Sequence, residues 1–233
     1  MSPAGRGAGG GERSGCDRFR VVIVAAHPDP ASFNAALVTA AAEAARRLGG
    51  DVRVHDLYRD GFDPRLAVSE LPSQPAAAGM PGTESVAAKH VRFADDLTSR
   101  YAHDLVGADV VIVVHPVWFF HVPAILKGWV DRVVREDVAF ELGPDGRVAG
   151  LLRARSVLIV TTANTSSATE TAVFGAPVET FWRTVVFGPA GVKSVERLAL
   201  APVRNSDDAT RAAWLAQVAA ATSRHVRDVR RMS

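Results

Sequence analysis

The chain has 233 residues, of which 48% are apolar and 22% charged, and its formal net charge is +2. This length and apolar content permit a sizeable core, and the basic residues lie singly or in pairs, without the stripe that a nucleic-acid partner demands. The single cysteine excludes a disulfide framework and a thiolate metal site, and no apolar run reaches the roughly 20 residues of a membrane span. The expectation is a soluble, cytoplasmic protein with no nucleic-acid partner and no membrane span.

Residues 1–18 (MSPAGRGAGGGERSGCDR) show no periodicity and read as a disordered leader, with Cys16 a free thiol inside it. Residues 19–233 read as a single domain. Its first strand is RVVIVAA, 20–26, apolar throughout as in a parallel sheet covered on both faces. Ser32 caps a helix with Leu37, Ala40, Ala41, Ala44 and Leu48 at helical spacing, ended by Gly49 and Gly50. DVRVHDL, 51–57, alternates like a strand near the sheet's edge. The Pro-, Ala- and Gly-rich stretch 61–82 opens a surface insert that extends to residue 90, and a helix is expected over 84–106.

ADVVIVV, 108–114, is the most apolar strand. A helix starts near Pro123 with Ile125, Leu126, Trp129, Val130, Val133 and Val134 on one face, while Lys127, Asp131, Arg132 and Arg135 lie away from it. GPDG, 143–146, marks a turn before the strand SVLIVTT, 156–162. The polar stretch ANTSSATET reads as a loop, followed by a helix at about 177–187, a strand over 192–199 and an amphipathic helix over 208–230. Strands alternating with helices predict an open, doubly wound, mostly parallel α/β sheet, in which ligands bind beyond the carboxyl ends of the strands where their order reverses. The rule selects three loops: 27–34, 115–122 and 161–170.

In the first loop, HPDPASFN, the hydroxyl of Ser32, the amide of Asn34 and the first N–H groups of the helix form a cradle for phosphate, with His27 as a further donor. Equally, Ser32 serves as a plain N-cap and His27 as a strand-end hydrogen bonder. Neither GxGxxG nor GxxxxGK[ST] is present, so a nicotinamide Rossmann site and a triphosphate P-loop have no support. In the second loop Pro116 and Pro123 bracket Trp118, Phe119, Phe120 and His121, a rigid stacking surface for a flat heterocycle; Phe119 and Phe120 as plugs of the core is the other reading. Trp129 belongs to packing. In the third loop the hydroxyls and amides of TTANTSS suit the polar edge of a heterocycle or an ordinary turn. GxSxG and HExxH are absent, which removes the serine-hydrolase and zincin readings. His55, His90, His103 and His225 stand at no metal-ligand spacing and read as surface histidines, with no metal site, and Glu43, Asp95 and Asp96 read as solvated helix-face carboxylates.

HPDPASFNAAL, 27–37, and HPVWFFHVPAILKGWVDRVV, 115–134, with the paired threonines at 161 and 162, resemble the flavodoxin-like NAD(P)H:quinone oxidoreductases over roughly residues 19–200. The resemblance implies a flavodoxin-like five-stranded parallel sheet of order 2-1-3-4-5 with helices on both faces. It also implies a bound FAD, with FMN the alternative, NADPH or NADH as co-substrate, and a homodimer with active sites at the interface. By position, it places His27, Ser32, Phe33, Asn34 and Ala36 around the flavin's phosphate and ribityl chain. Pro116, Val117, Trp118, Phe119 and Phe120 border the ring system, and Thr161, Thr162, Ala163 and Asn164 bond its pyrimidine edge. The family's Gly-Gly is here Ala163-Asn164, and its later Tyr and His have no counterpart between 163 and 190. His121 replaces a Gly, and its imidazole either donates a proton to a quinone oxygen or points outward. The implied activity is two-electron, ping-pong reduction of quinones or other flat aromatic acceptors. An electron-transfer or regulatory binding subunit, or an azo, nitro or flavin reductase, is the alternative.

Overall fold

The structure is a computed structural model that describes residues 19–71 and 92–232. The expectations for the leader, for Cys16 and for residues 72–91, His90 included, fall outside the described residues.

Five parallel strands form one sheet: β1 (Arg20–Ala25), β2 (Asp51–Asp56), β3 (Val110–Pro116), β6 (Ser156–Thr162) and β7 (Ser194–Leu200). Their order is β2-β1-β3-β6-β7, as expected, with β4 (Phe140–Leu142) and β5 (Val148–Gly150) paired separately as an antiparallel hairpin around the anticipated turn. One face is covered by α1 (Phe33–Arg47) and α6 (Asp208–Arg231), whose Leu37, Ala41, Val218 and Val226 meet Ile23, Ile112 and Leu158. The other is covered by α2 (Asp96–Val106), α3 (Ala124–Val133) and α5 (Pro177–Thr180), which runs into a π-helical turn over Phe181–Val186. Leu105, Trp129, Trp182 and Phe187 pack there against Val111, Val113 and Val157. β1, β3 and β6 are buried on both faces, which explains their unbroken apolar runs. Among the described residues no helix is long and apolar enough to cross a membrane.

The second helix begins at Asp96, because the Asp95 carboxylate caps it by accepting from the Thr98 N–H. The expected polar loop after β6 contains a further helix, α4 (Ser167–Phe174). The Ser166 hydroxyl accepts from the Thr169 N–H to start it, and left-handed Gly175 stops it. Asp95 is exposed as expected, although as the cap of α2 and a partner of Arg132, whereas Arg132, away from the apolar stripe of α3, is nevertheless buried. Arg132 is 1% exposed, and its guanidinium grips both oxygens of buried Glu70 at 2.9 and 3.0 Å, Asp95 at 2.6 Å and the Asp63 carbonyl. Those partners belong to the segments flanking residues 72–91, so one cation on α3 pins both. The same close approach requires Gly128, where a Cβ would lie 2.3 Å from the Pro64 carbonyl oxygen.

Two of the supposed surface histidines are buried: His55 is 2% and His225 4% exposed. His55 stacks on Tyr101 at 3.8 Å and meets Asp104, and His225 links the Ser156 hydroxyl at 2.6 Å to Glu196 at 3.0 Å. The Ser156–His225–Glu196 relay sits at the amino ends of the strands, away from the candidate site, and ties α6 to β6 and β7. His103 is exposed as expected.

Burial alone would raise the Glu70 and Asp95 carboxyls, but Arg132 and backbone N–H donors hold both below the usual carboxylate range. Their contribution is therefore present above the unfolded carboxylate pKa and lost as pH falls through the lower folded values. R132M is expected to lose about 3–5 kcal/mol of unfolding free energy in urea titration, because it strands the buried Glu70 charge.

Candidate functional site

Register brings the carboxyl ends of β1, β3 and β6 together: Ala25 lies beside Val114, and Pro116 beside Thr162. β2 lies on one side of β1 and β3 on the other, so the turns after β1 and β3 part and leave a crevice. In the first turn Asp29 Oδ1 accepts from the Ala31 N–H, its carbonyl accepts from the Ser32 N–H, and Ser32 Oγ accepts from the Ala35 N–H. The Phe33 and Asn34 N–H groups have no hydrogen-bond partner among the described residues. Asn34 Nδ2 donates to Thr162 Oγ1 at 2.8 Å across 128 residues of chain. The Val117 N–H donates to the Thr162 carbonyl at 2.8 Å, and the rings of His27 and Trp118 lie 6.2 Å apart. All three turns therefore meet.

The second turn is a two-residue connection. Trp118 and His121 exchange both backbone hydrogen bonds at 3.0 Å, with Phe119 and Phe120 between them at φ 49° and 58°. Left-handed values at both central residues make a type I′ turn, whose usual occupants are Asn and Gly. Two phenylalanines there cost on the order of 1–3 kcal/mol each. Phe119 is fully exposed, and Phe120 packs on Phe174 with ring centroids 4.0 Å apart. A strained turn holding a bare ring is expected where the ring has something to contact. The N–H groups of Phe119 and Phe120 also lack partners among the described residues.

A buried polar layer lies under this turn on the α3 face of the sheet. Trp182 Nε1 donates to His115 Nε2 at 3.0 Å, so the His115 proton sits on Nδ1 and is donated to the Pro116 carbonyl at 2.8 Å. Burial pushes His115 down to about 4, against the Pro116 bond that raises it and with Arg197 and His121 adding to the depression. Beside it Arg197 Nε donates to Thr161 Oγ1 at 3.1 Å, and its other nitrogens hold both oxygens of Glu170 at 3.0 and 2.8 Å. Trp182 lies in the π-helical turn, a rare form that is frequent at functional sites.

A cavity of about 200 Å³ lies between the second and third turns, lined by Val117, Phe119, Phe120, Ala163, Asn164 and Glu170. A larger one, about 500 Å³, has its mouth at His27, Asp29, Pro30 and Asn34 and runs between α1 and β2 along Val38, Val52 and Val54. The site chemistry belongs to the first cavity and to that mouth; the rest of the larger space is a groove of mixed character, lined also by Glu43, Arg46, Asp56 and Arg59. Of the residues singled out by sequence, His27, Ser32, Asn34, Pro116, Val117, Trp118, Phe119, Phe120, Thr162, Ala163 and Asn164 are brought to these turns. The Phe33 ring instead packs toward α6, 6.0 Å from Trp214 and under Arg211, and Ala36 is exposed on α1. Thr161 is buried against Arg197, and the Ala163 N–H and carbonyl are both taken by the β7–α6 connection, through Leu200 and Val203. His121 is half-buried with its ring edge-on to Phe181 at 4.8 Å. Sequence reading missed His115, Trp182, Glu170, Arg197 and Arg211. The available signal was slight: Arg197 sits beside Glu196 inside the strand SVERLAL.

A family model described as flavodoxin-like fold matches residues 20–224. The chain belongs to that family. It is 37% identical over 161 residues to the human ribosyldihydronicotinamide dehydrogenase (quinone), spanning 67% of this chain and 69% of that protein. It is 32% identical to the rat NAD(P)H dehydrogenase (quinone) 1 over 64% of this chain and 55% of that one. The resemblance to quinone oxidoreductases therefore extends to whole segments of the chain. Among solved structures, the NAD(P)H:quinone oxidoreductase from Methanothermobacter marburgensis superposes with a TM-score of 0.69 at 24% identity, covering 88% of this chain and 98% of that one, a likeness of fold.

Replacing Phe119 and Phe120 with Asn and Gly removes the left-handed strain and should raise unfolding free energy by about 1 kcal/mol in urea, after loss of the Phe174 contact. His115 lies lower in the folded state than unfolded, so its contribution is complete above about pH 6.5 and disappears as pH falls toward 4. H115Q should accordingly flatten the stability profile between these limits by on the order of 3 kcal/mol, read as urea midpoints across pH.

Proposed function

We propose that the chain is a flavin-dependent NAD(P)H oxidoreductase that reduces quinones or related aromatic acceptors in alternating two-electron half-reactions. The observation that carries this reading is the meeting of the three turns through Asn34 and Thr162, together with the bare ring of Phe119 on the second of them. The residues fit a flavin. Asn34 Oδ1 is buried without a partner, the Phe33, Asn34, Phe119 and Phe120 N–H groups are unclaimed among the described residues, and the facing rings give a flat apolar wall. The names of the curated relatives support the same chemistry.

A flavin bound there supplies hydride acceptance and release. The chain's part is to bind and orient. Ser32 and the first turn of α1 receive a phosphate, helped by the helix dipole, and Arg211 over the Phe33 ring adds a cation nearby. Asn34, Thr162 and Asn164 offer polar partners to a ring edge, while Val117, Trp118, Phe119 and Phe120 exclude water. To His121, next to the Phe119–Phe120 turn, we assign the passing of a proton to an acceptor oxygen. Exposed Phe119, Val173 and Phe174 form an apolar patch at the mouth, which a second copy of the chain covers in a homodimer. Ser32-Phe33-Asn34 favours FAD by resemblance, whereas a relative from Methylobacterium radiotolerans, 34% identical over 45% of this chain, is named FMN-dependent; the mass of heat-released pigment decides.

Reconstituted with FAD or FMN, the protein should turn yellow, bleach on anaerobic mixing with NADH or NADPH, and regain colour on addition of a quinone. A protein that takes up neither flavin contradicts the proposal. A bound flavin that NAD(P)H leaves oxidised identifies a carrier instead.

A further inference from the structure

Glu170 and Arg197 form a nearly closed ion pair at the back of the turn-lined cavity, with side-chain exposures of 3% and 8%. Arg197 projects from β7 on the face that carries Val195, where an apolar residue would pack without difficulty. Withdrawing two charges from water is costly, and a buried pair is commonly no more stabilising than apolar residues of similar volume. Fold stability therefore gives no reason for this pair. Its location gives one. Glu170 lines the cavity with Phe119, Phe120, Ala163 and Asn164, and both of its carboxylate oxygens are held by Arg197, so the pair sets one negative and one positive charge at the wall. Arg197 is fixed a third time by Thr161 Oγ1 at 3.1 Å, and the neighbouring His115 is neutral, fully committed to Trp182 and Pro116.

We propose that the Glu170–Arg197 pair sets the charge of the cavity wall and thereby the reduction potential of the ring bound there, an inference that rests on the flavin reading above. With both charges present the wall is balanced, and the electron-rich reduced ring is neither drawn in nor repelled. Each charge removed alone tips the balance in its own direction, magnified by the poorly polarisable surroundings. Glu170 and Arg197 each act on the ring through their own charge, Glu170 from the cavity lining and Arg197 from behind it.

The test is the midpoint potential of the flavin-reconstituted protein by anaerobic spectroelectrochemical titration, with thermal stability in parallel. E170Q should favour the reduced over the oxidised ring by roughly tenfold, an upward shift of about 30 mV for a two-electron couple. R197M should shift it downward by a similar amount, while E170D and R197K stay near the wild type. A purely structural pair lowers stability in both variants but leaves the potential in place or moves it in one direction, and that result overturns the inference. If R197M does not fold, E170Q measured against E170D decides alone. A wild-type protein that binds no flavin overturns the flavin reading and this inference together, whereas a yellow wild type with unmoved variants overturns this inference only.

Discussion

The hydrogen bond from Asn34 to Thr162 joins the first turn of α1 to the end of β6 and closes the gap between loops that the sequence keeps far apart. It is buried, and the oxygen of the same amide, Asn34 Oδ1, is left without a partner. A native interior satisfies nearly all its polar groups, and among the described residues Asn34 Oδ1 shares its lack of a hydrogen-bond partner with Arg20 Nε, His55 Nδ1, Trp129 Nε1 and Thr222 Oγ1; what sets it apart is its position where the three turns meet. The parallel sheet dictates the location. β1, β3 and β6 are the three central strands, buried on both faces, so their chemistry is carried by the turns at their carboxyl ends.

Around this joint the molecule accepts two kinds of cost. The Phe119–Phe120 turn holds backbone strain in left-handed geometry, and the layer beneath it buries an imidazole, an indole N–H and an ion pair. Each element alone has a bland explanation. Together, at the meeting point of three strand-end turns, they describe a rigid, dry and polar-floored recess beside an exposed ring. Farther away, Arg132 performs a structural task, holding the segments on either side of residues 72–91 to α3 through Glu70, Asp95 and the Asp63 carbonyl.

Much of the fold was legible because β1, β3 and β6 are unbroken apolar runs, because Ser32 caps α1, and because α3 carries an apolar stripe behind Pro123. The placement of the three turns followed from the same pattern. What could not be read was burial of polar groups. Nothing local distinguishes Arg132 or His55 from surface residues, since their partners, Glu70 and Asp104, are distant in sequence. The helix α4 was hidden because Ser, Thr and Ala give no apolar stripe; its ends are set by the Ser166 cap and by Gly175. At the site, residue types were legible but side-chain directions were not. Alternation along β6 sends Thr162 toward Asn34 and Thr161 to the opposite face, and the first turn of α1 sends Phe33 toward Trp214.

The central claim is that three turns grip one planar ligand. Amide hydrogen exchange, followed by mass spectrometry on the protein with and without saturating FMN, tests it most directly. The account predicts added protection confined to peptides covering 27–36, 117–121 and 162–166, and appearing in all three at the same ligand concentration. Protection concentrated between α1 and β2, along the larger groove, or limited to a single turn, would contradict it.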